Sequence, residues 1–402
     1  MRDQRWPCAL AVLLALGTLL SAPSWISAQE ARQLEFWNTQ RRGANFFNQV
    51  ETRERFRAAR EAGLEWVRLV PDKWNGAGRD FLLGDAGDFQ GIVREDMAHL
   101  EKVLGWAEDE GVPVVMGMLN LPGCRWVQQN DGKQDYRLWN DERYQKQAAA
   151  FWRELASRLK DHPAVVAFNP LNEPHPAREA GHDDADAEGF EGWLDAHRGT
   201  PADLDLFYAR IVRAIREVDS HTPILVEGYG HGSVNGLTYL SPVEDPAILY
   251  SFHFYDPWQY TARKANKDRY AYPDKMPAYW NGPAEKWERD ALAKTMNPVG
   301  EWATRHGVPT NRIVAAEFGC DRAAPGAREY LEDVVTTLNE RRWHWAFYSF
   351  REDAWDRMDY EVGTSGLGAA YWDAVERGET PDRPWKDNPL WRVLQDGLNA
   401  ER

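Results

Sequence analysis

Two apolar runs, each carrying a glutamate at its end, restrict how this chain can fold. One run lies in Phe168–Pro174 and leads to Glu173, and the other lies in Ile313–Gly319 and contains Glu317. An apolar run bounded by Pro or Gly is typical of a buried strand in a parallel sheet. A carboxylate at the end of such a strand is costly to remove from water, so its presence there indicates a use. Because the two runs are far apart in the chain, their carboxylates can meet only if the sheet closes or folds back.

The rest of the chain alternates strand-like apolar runs with amphipathic stretches, a pattern that predicts βα units around a parallel sheet. Eight such units in 402 residues predict a single (β/α)8 barrel with extended βα loops. The predicted strands are Gly43–Phe47, Leu64–Val70, Pro113–Leu119, Val165–Leu171, Pro223–Glu227, Ile248–Phe254, Arg312–Ala316 and His344–Phe350. The predicted helices are Thr52–Ala62, Ile92–Glu110, Glu142–Leu159, Ala202–Val218, Ala284–His306, Ala327–Arg341 and Pro389–Leu398. The fifth helix of the eight falls in the interval Gly228–Ala247, which is short and has little helical periodicity.

Residues 1–28 have the pattern of an export signal. Arg2 and Arg5 give a basic start, Ala9–Leu20 is apolar, and a polar segment leads to a predicted cleavage after Ala28. We therefore expect a secreted or periplasmic protein whose mature chain, residues 29–402, is one barrel domain. An uncleaved N-terminal anchor is the alternative, although so short an apolar stretch fits poorly across a bilayer.

Charge and composition narrow the possible partners. The formal net charge of −15 is unfavourable for binding nucleic acid or an anionic membrane. Helix-spaced His pairs are missing, and Gly228–Gly232 lacks the Lys-Ser/Thr of a phosphate loop, so we expect no metal and no cofactor. We also expect a monomer. Cys124 and Cys320 follow the predicted cleavage site, and the sequence leaves open whether they are paired or free.

Polar residues end nearly all the predicted strands. In a (β/α)8 barrel the functional residues come from these ends, so the series predicts a site at the C-terminal face. We interpret Glu227, which ends the fifth strand, as a structural residue or a contact at the rim. The residues at or just after the strand ends are Asn45, Arg68, Asn120, Asn172, Glu173, Glu227, His253, Tyr255, Glu317 and Tyr348.

Three of these ends carry recognisable motifs in a fixed order. Asn172-Glu173-Pro174 follows the fourth strand, His253-x-Tyr255 the sixth, and Glu317-Phe-Gly the seventh. With Arg68 on the second strand, they resemble glycoside hydrolase family 5 over the whole mature chain. That family contains many cellulases and mannanases. The resemblance implies a β-glycoside hydrolase that cleaves a β-linked polysaccharide or oligosaccharide.

The same resemblance implies a retaining double displacement. Glu173 would be the general acid/base and Glu317 the nucleophile, in a pair whose carboxyl groups lie about 5 Å apart. Arg68 would keep Glu317 charged, because an adjacent cation favours a carboxylate. Tyr255 would donate a hydrogen bond to the same group.

Other site residues are implied to contact the sugar. Asn172 would bond the 2-hydroxyl group of the reacting sugar, and His253 would line the site. Two positions depart from the family pattern. Leu119 or Asn120 stands where many members carry His, and Tyr348 stands where many carry the Trp that forms a floor for the sugar. We assign Asn120 and Tyr348 to the substrate site and expect an unusual substrate preference.

Tryptophan is abundant, with 20 in the chain, and its ring can stack on a sugar face. Most are expected to fill the core. Those in predicted loops are candidate sugar platforms, and Trp258 is assigned to the substrate site. The loop tryptophans are Trp74, Trp126, Trp139, Trp258, Trp280 and Trp355.

Two alternatives stay open. The first is an exo-acting or otherwise unusual glycosidase of the same family. The second is a catalytically silent barrel that only binds carbohydrate, against which the retention of Glu173 and Glu317 argues, because a binder needs no proton donor. The long loops at residues 175–200 and 256–297 decide between a cleft and a pocket, and hence between endo and exo action.

Overall fold

The computed structural model describes residues 33–74, 79–182, 185, 188–279, 282–352, 355, 357–364, 368–382 and 388–401. In this part of the chain, the strands are β1 (Arg42–Phe46), β2 (Trp66–Leu69), β3 (Val114–Gly117), β4 (Val165–Asn169), β5 (Ile224–Glu227), β6 (Ile248–Phe254), β7 (Asp274–Pro277), β8 (Ala284–Trp287), β9 (Ile313–Phe318) and β10 (His344–Phe347). Eight of them run parallel and close into a barrel, in the order β1-β2-β3-β4-β5-β6-β9-β10 and back to β1. The predicted (β/α)8 barrel is confirmed. The predicted export signal and Trp280 lie outside the described residues.

All eight barrel strands are buried on both faces, which explains why they read as nearly continuous apolar runs. One set of side chains fills the barrel interior, among them Trp66, Val115, Leu249 and Val314. Trp37, which precedes β1, packs with this set, and its indole N–H donates to the carbonyl of Val166 over 3.0 Å. A larger apolar layer separates the strands from the helices.

Helices cover the outside of the barrel and are capped in ordinary ways. The side chains of Thr52, Asp141 and Asp203 accept backbone N–H groups at helix starts, and Gly111 and Gly307 end two helices in the left-handed conformation. The helices are Arg53–Glu61, Arg94–Glu110, Arg137–Asn140, Glu142–Leu159, Phe190–His197, Leu204–Arg216, Tyr229–Gly232, Val234–Thr238, Trp258–Thr261, Arg263–Asn266, Arg289–His306, Ala327–Glu340, Gly368–Glu376 and Pro389–Asn399.

The predicted helix Ala284–His306 is wrong at its start. Residues 284–287 form β8, which pairs antiparallel with β7 in a hairpin outside the barrel, and the helix begins at Arg289. The hairpin buries Met276 and Trp287. Helix propensity is a weak preference that tertiary packing overrides, and the burial of these two side chains supplies that packing.

The cysteines left open by the sequence are both buried and free. Burial raises the pKa of Cys124 to about 12 and also raises the pKa of Cys320 well above its ordinary value. Both are therefore unreactive thiols at neutral pH. None of the helices in the described ranges combines the length and hydropathy of a bilayer-spanning segment.

Candidate active site

The C-terminal ends of the strands bring the two glutamates together. Glu317 is the last residue but one of β9, and Glu173 lies shortly after β4. One carboxylate oxygen of each, together with a ring nitrogen of His253, all lie within 4.8 Å of one another. This separation matches the spacing of about 5 Å between the two carboxyl groups of retaining glycosidases.

A shift in strand register places His253 in this group. β6 and β9 pair in parallel, and their register shifts between Phe252 and His253, so that His253 stands opposite Glu317. Irregularities of this kind re-aim side chains near functional sites. The ring Nδ1 lies 2.9 Å from Glu173 Oε1 and 3.7 Å from Glu317 Oε2. His253 therefore bridges the two carboxylates.

Glu317 is held through both of its oxygens. Arg68 Nη1 donates to Oε1 and the hydroxyl of Tyr255 donates to Oε2, each over 2.7 Å. Burial raises the pKa of the Glu317 carboxyl, while the positive charges of His253 and Arg68 act against that rise. Both cations thus favour the ionised form of this buried group.

Arg68 is fully buried and joins several strands. Its guanidinium donates to Asn169 and Asn172 with bonds of 2.6–2.9 Å, and to Asn45 over 3.2 Å. It also donates from Nη2 to Glu227 over 2.7 Å. A planar fork of donors suits this role because it satisfies partners in fixed directions. Arg68 therefore fixes the relative positions of β1, β2, β4 and the site carboxylates.

Glu173 differs from Glu317 in its surroundings. Its side chain is 16% exposed, against 5% for Glu317. Its backbone has a φ of +49°, which is rare for a residue with a side chain. Its N–H donates to Glu227 Oε2 over 2.7 Å, and His231 Nδ1 lies 3.9 Å from its Oε2.

A cavity of about 500 Å³ opens above the two glutamates. The rings of Phe47 and Tyr348 meet edge to face, as do those of Tyr348 and Trp355. Amide and ammonium groups line other parts of the wall, a mixture that suits the apolar faces and hydroxyl groups of a sugar. The lining residues are Phe47, Gln49, Lys73, Leu119, Trp126, Gln128, Gln129, Asn172, Glu173, Glu317, Tyr348 and Trp355.

The cellulase family model, described as glycosyl hydrolase family 5, matches residues 28–354. The chain belongs to glycoside hydrolase family 5. Endoglucanase C of Acetivibrio thermocellus is 25% identical to it over 329 residues, which cover 75% of this chain and 83% of that protein. The chain is accordingly an endoglucanase-like β-glycoside hydrolase.

Solved structures share its fold. Endoglucanase Cel5A of Thermotoga maritima in complex with cellobiose superposes with a TM-score of 0.62 at 20% identity, covering 90% of this chain and 99% of that one. The complex of the same protein with mannotriose gives a TM-score of 0.61 at 19% identity, again over 90% and 99%.

The sequence departs from the family 5 pattern at two positions, Tyr348 and the segment Leu119-Asn120 after β3. Tyr348, which follows β10, lines the cavity and is 5% exposed. After β3 it is Leu119, not Asn120, that lines the cavity. Asn120 is buried; its side chain accepts the N–H of Trp126 over 2.7 Å and donates to Gln129. The structure thus does not bring the Asn120 side chain to the cavity, and Asn120 instead holds the loop that presents Trp126 and Gln129.

The loop tryptophans divide into two groups. Trp126 and Trp355 line the cavity. Trp258 contacts the rings of Tyr255 and Trp355 but does not itself line the cavity. Trp139 is 2% exposed and belongs to the core, and Trp74 packs edge to face on Phe81. Sequence position in a loop did not separate these groups, because burial depends on where the loop folds.

Two residues beneath the site, Asn169 and Glu227, were not among the predicted site residues. Asn169 receives two bonds from Arg68, and Glu227 receives bonds from Arg68 and from the N–H of Glu173. Glu227 ends a predicted strand, whereas Asn169 lies inside the predicted strand Val165–Leu171 and is a strand end only in the structure. Of the two interpretations that the sequence left open for Glu227, the structure excludes the rim contact, because Glu227 is buried beneath the site and lies outside the cavity lining.

Proposed function

We propose that the protein hydrolyses β-glycosidic bonds with retention of configuration, with Glu173 as acid/base and Glu317 as nucleophile. The observation that carries this proposal is the spacing of the two carboxylates, whose oxygens lie within 4.8 Å at the base of an open cavity. An inverting pair needs room for a water between its carboxyl groups, at a spacing of about 6.5–9.5 Å.

In the first step, an ionised oxygen of Glu317 attacks the anomeric carbon and the bond to the leaving oxygen breaks. The proton on Glu173 passes to that oxygen, and a glycosyl ester forms on Glu317. The bonds from Arg68 and Tyr255 to Glu317 support the nucleophile role, because they favour its anionic form. The greater exposure of Glu173 supports its contact with leaving group and water.

In the second step, Glu173, now ionised, takes a proton from water. The water oxygen attacks the anomeric carbon, the ester bond breaks, and Glu317 leaves as a carboxylate. Both glutamates return to their initial protonation states. Asn172 lines the cavity beside Glu173, and its side-chain oxygen accepts from Arg68, which leaves its amide group to bond a sugar hydroxyl.

We propose β-linked gluco- or manno-oligosaccharides as the substrate class. The names of the curated relatives and the cellobiose and mannotriose complexes of the structural neighbour support this choice. The net charge of −15 suits a neutral substrate. Leu119 and Tyr348 in the cavity wall favour a second candidate, a glycosidase of the same family with an unusual sugar preference.

The test is a screen of the protein against aryl β-glycosides of glucose, cellobiose, mannose, mannobiose and xylose, and against the matching polysaccharides. NMR of the first-formed product should show the β-anomer. The matched control is Glu317→Ala, which should be inactive on all of them. An α-anomer as first product would overturn the mechanism, and binding of sugars without turnover would favour the silent barrel.

We further propose that residues 1–28 direct export and that the mature chain is a monomer. Expression of the full chain in a bacterial host should yield a periplasmic product whose mass corresponds to cleavage after Ala28. Light scattering should then give the mass of one chain. Retention of the full-length mass in the membrane fraction would support the uncleaved anchor instead.

A further inference from the structure

Glu227 is a third carboxylate beneath the two proposed catalytic glutamates. It ends β5 and is fully buried. A buried carboxylate is costly unless it is paired and hydrogen-bonded. Its Oε1 accepts from Arg68 over 2.7 Å, and its Oε2 accepts from the N–H of Glu173 over 2.7 Å and lies 3.4 Å from His253 Nε2. All three partners belong to the site.

The bond to the main chain of Glu173 has a particular consequence. Glu173 has a φ of +49°, a conformation that persists in a residue with a side chain only where the surroundings enforce it. The carboxylate of Glu227 supplies a charge-assisted acceptor for the N–H of this residue. A residue on the neighbouring strand thus fixes the backbone from which the Glu173 side chain extends.

Glu227 also completes a charge balance. The cations are Arg68 and His253, and the anions are Glu227 and Glu317, so a protonated Glu173 leaves the group neutral. Burial acts to lower the pKa of His253, but Glu317 and Glu227 outweigh it and raise that pKa to about 10. Burial likewise opposes ionisation of Glu227, while His253 and Arg68 lower its pKa to about 2.

The groups that face Glu227 come from each element packed against it. Arg68 lies on β2, His253 on β6, and the main chain of Glu173 follows β4. Tyr208, on the helix Leu204–Arg216, exchanges hydrogen bonds of 2.8 and 2.9 Å with the main chain of Glu227. Glu173 itself also faces His231.

We infer that Glu227 is a positioning residue of the hydrolytic reaction, which fixes the backbone of the acid/base Glu173 and places a counter-charge against the ring of His253, beside both glutamates. This inference rests on the proposed function. It assigns to Glu227 no contact with the sugar, since Glu227 is outside the residues that line the cavity.

Glu227→Gln keeps the shape of the side chain and removes its charge. Loss of a negative charge from a coupled group of acids lowers each of its apparent pKa values. The basic limb of the pH profile of kcat/KM should therefore move down by about one pH unit. The loosened Glu173 should lower kcat by about 10- to 100-fold, with little change in KM.

Asp96→Asn is the matched control. Asp96 is also a buried carboxylate that pairs with an arginine, Arg79, and accepts a backbone N–H, that of Leu82 over 2.9 Å, but it lies away from the cavity. Its substitution should leave the pH limbs in place. Equal changes in the two variants would mean that loss of any buried ion pair has this effect, and the inference would be wrong.

Glu227→Asp keeps the charge and shortens the reach. We expect His253 to stay protonated and kcat to fall about 10-fold. Both limbs of the pH profile of kcat/KM should stay in place. An Asp variant with wild-type kcat overturns the positioning role. If neither variant folds while Asp96→Asn does, Glu227 serves stability alone and the inference is likewise overturned.

An NMR titration of the His253 ring separates this inference from the proposed function, because it needs no turnover. The ¹⁵N signals, assigned with His253→Asn, should show a charged ring past pH 9 in the wild type and a pKa lower by about one unit or more in Glu227→Gln. An unchanged His253 titration overturns the inference. A wild type that hydrolyses no β-glycoside refutes the proposed function, while this titration still decides the role of Glu227.

Discussion

The floor of the site and its rim are built differently. The floor consists of Arg68, Glu227, His253 and Glu317, all on barrel strands, at most 5% exposed and joined by polar contacts of 2.7–3.4 Å. The rim consists of Gln49, Lys73, Trp126, Gln128 and Trp355, all in connecting segments and half-buried or exposed.

The difference separates what the two regions can do. Strand residues packed on all sides hold their positions closely, which the transfer of a proton or a glycosyl group requires. Loop residues tolerate substitution, and binding specificity is commonly carried there. We therefore expect substitutions in the floor to change rate and pH dependence, and substitutions at the rim to change the choice of sugar.

The largest effect is expected from Glu317→Ala. Removal of the nucleophile should reduce kcat by at least about 10⁴-fold, because no other group in the floor is free to form the glycosyl ester. Circular dichroism should show an unchanged fold. Turnover near the wild-type rate on an unactivated glycoside would refute the assignment of Glu317.

Glu173→Ala should have an effect that depends on the leaving group. General acid catalysis contributes about 10²–10⁴-fold, and only poor leaving groups need it fully. The rate on an alkyl glycoside should decrease by about 10²–10⁴-fold. The rate of the first step on a dinitrophenyl glycoside should be nearly unaffected.

Added azide provides the control for Glu173→Ala. As an anion it needs no general base, so it should speed the second step and yield a β-glycosyl azide. A uniform loss on all leaving groups, without azide rescue, would contradict the acid/base role.

Arg68→Met should change the pH dependence of the floor. Because Arg68 favours the ionised form of Glu317, its loss should raise the pKa of Glu317 and move the acidic limb of kcat/KM upward by about 1–3 units. Breaking the buried pairs should also lower the free energy of unfolding by about 3–5 kcal/mol. An acidic limb that stays in place, measured from pH 3 to 9, would show that Arg68 is purely structural.

The floor could be predicted from the sequence much better than the rim. Strand ends are marked by the break in an apolar run, so Arg68, His253 and Glu317 could be located by pattern alone. The register shift at Phe252–His253, which sets His253 opposite Glu317, leaves no such mark. Neither does the burial of Asn120, because its partner Gln129 comes from the fold of the loop.

The smallest effect, and the one that tests the comparison most directly, is expected from Tyr348→Trp. Tyr348 follows β10, lines the cavity, and contacts the rings of Phe47 and Trp355. A larger ring changes the face offered to the sugar without touching either glutamate, so the ratio of kcat/KM values between aryl glucosides and mannosides should change by about 10-fold. Both limbs of the pH profile should remain in place, and the melting temperature should change little.

Tyr348→Phe is the matched control. It keeps the ring size and should leave the ratio of kcat/KM values nearly unchanged. If Tyr348→Trp instead lowers activity equally on every substrate, Tyr348 maintains the shape of the cavity and does not select the sugar. The boundary between rate-determining and sugar-selecting residues then lies further out, at Trp126 and Trp355.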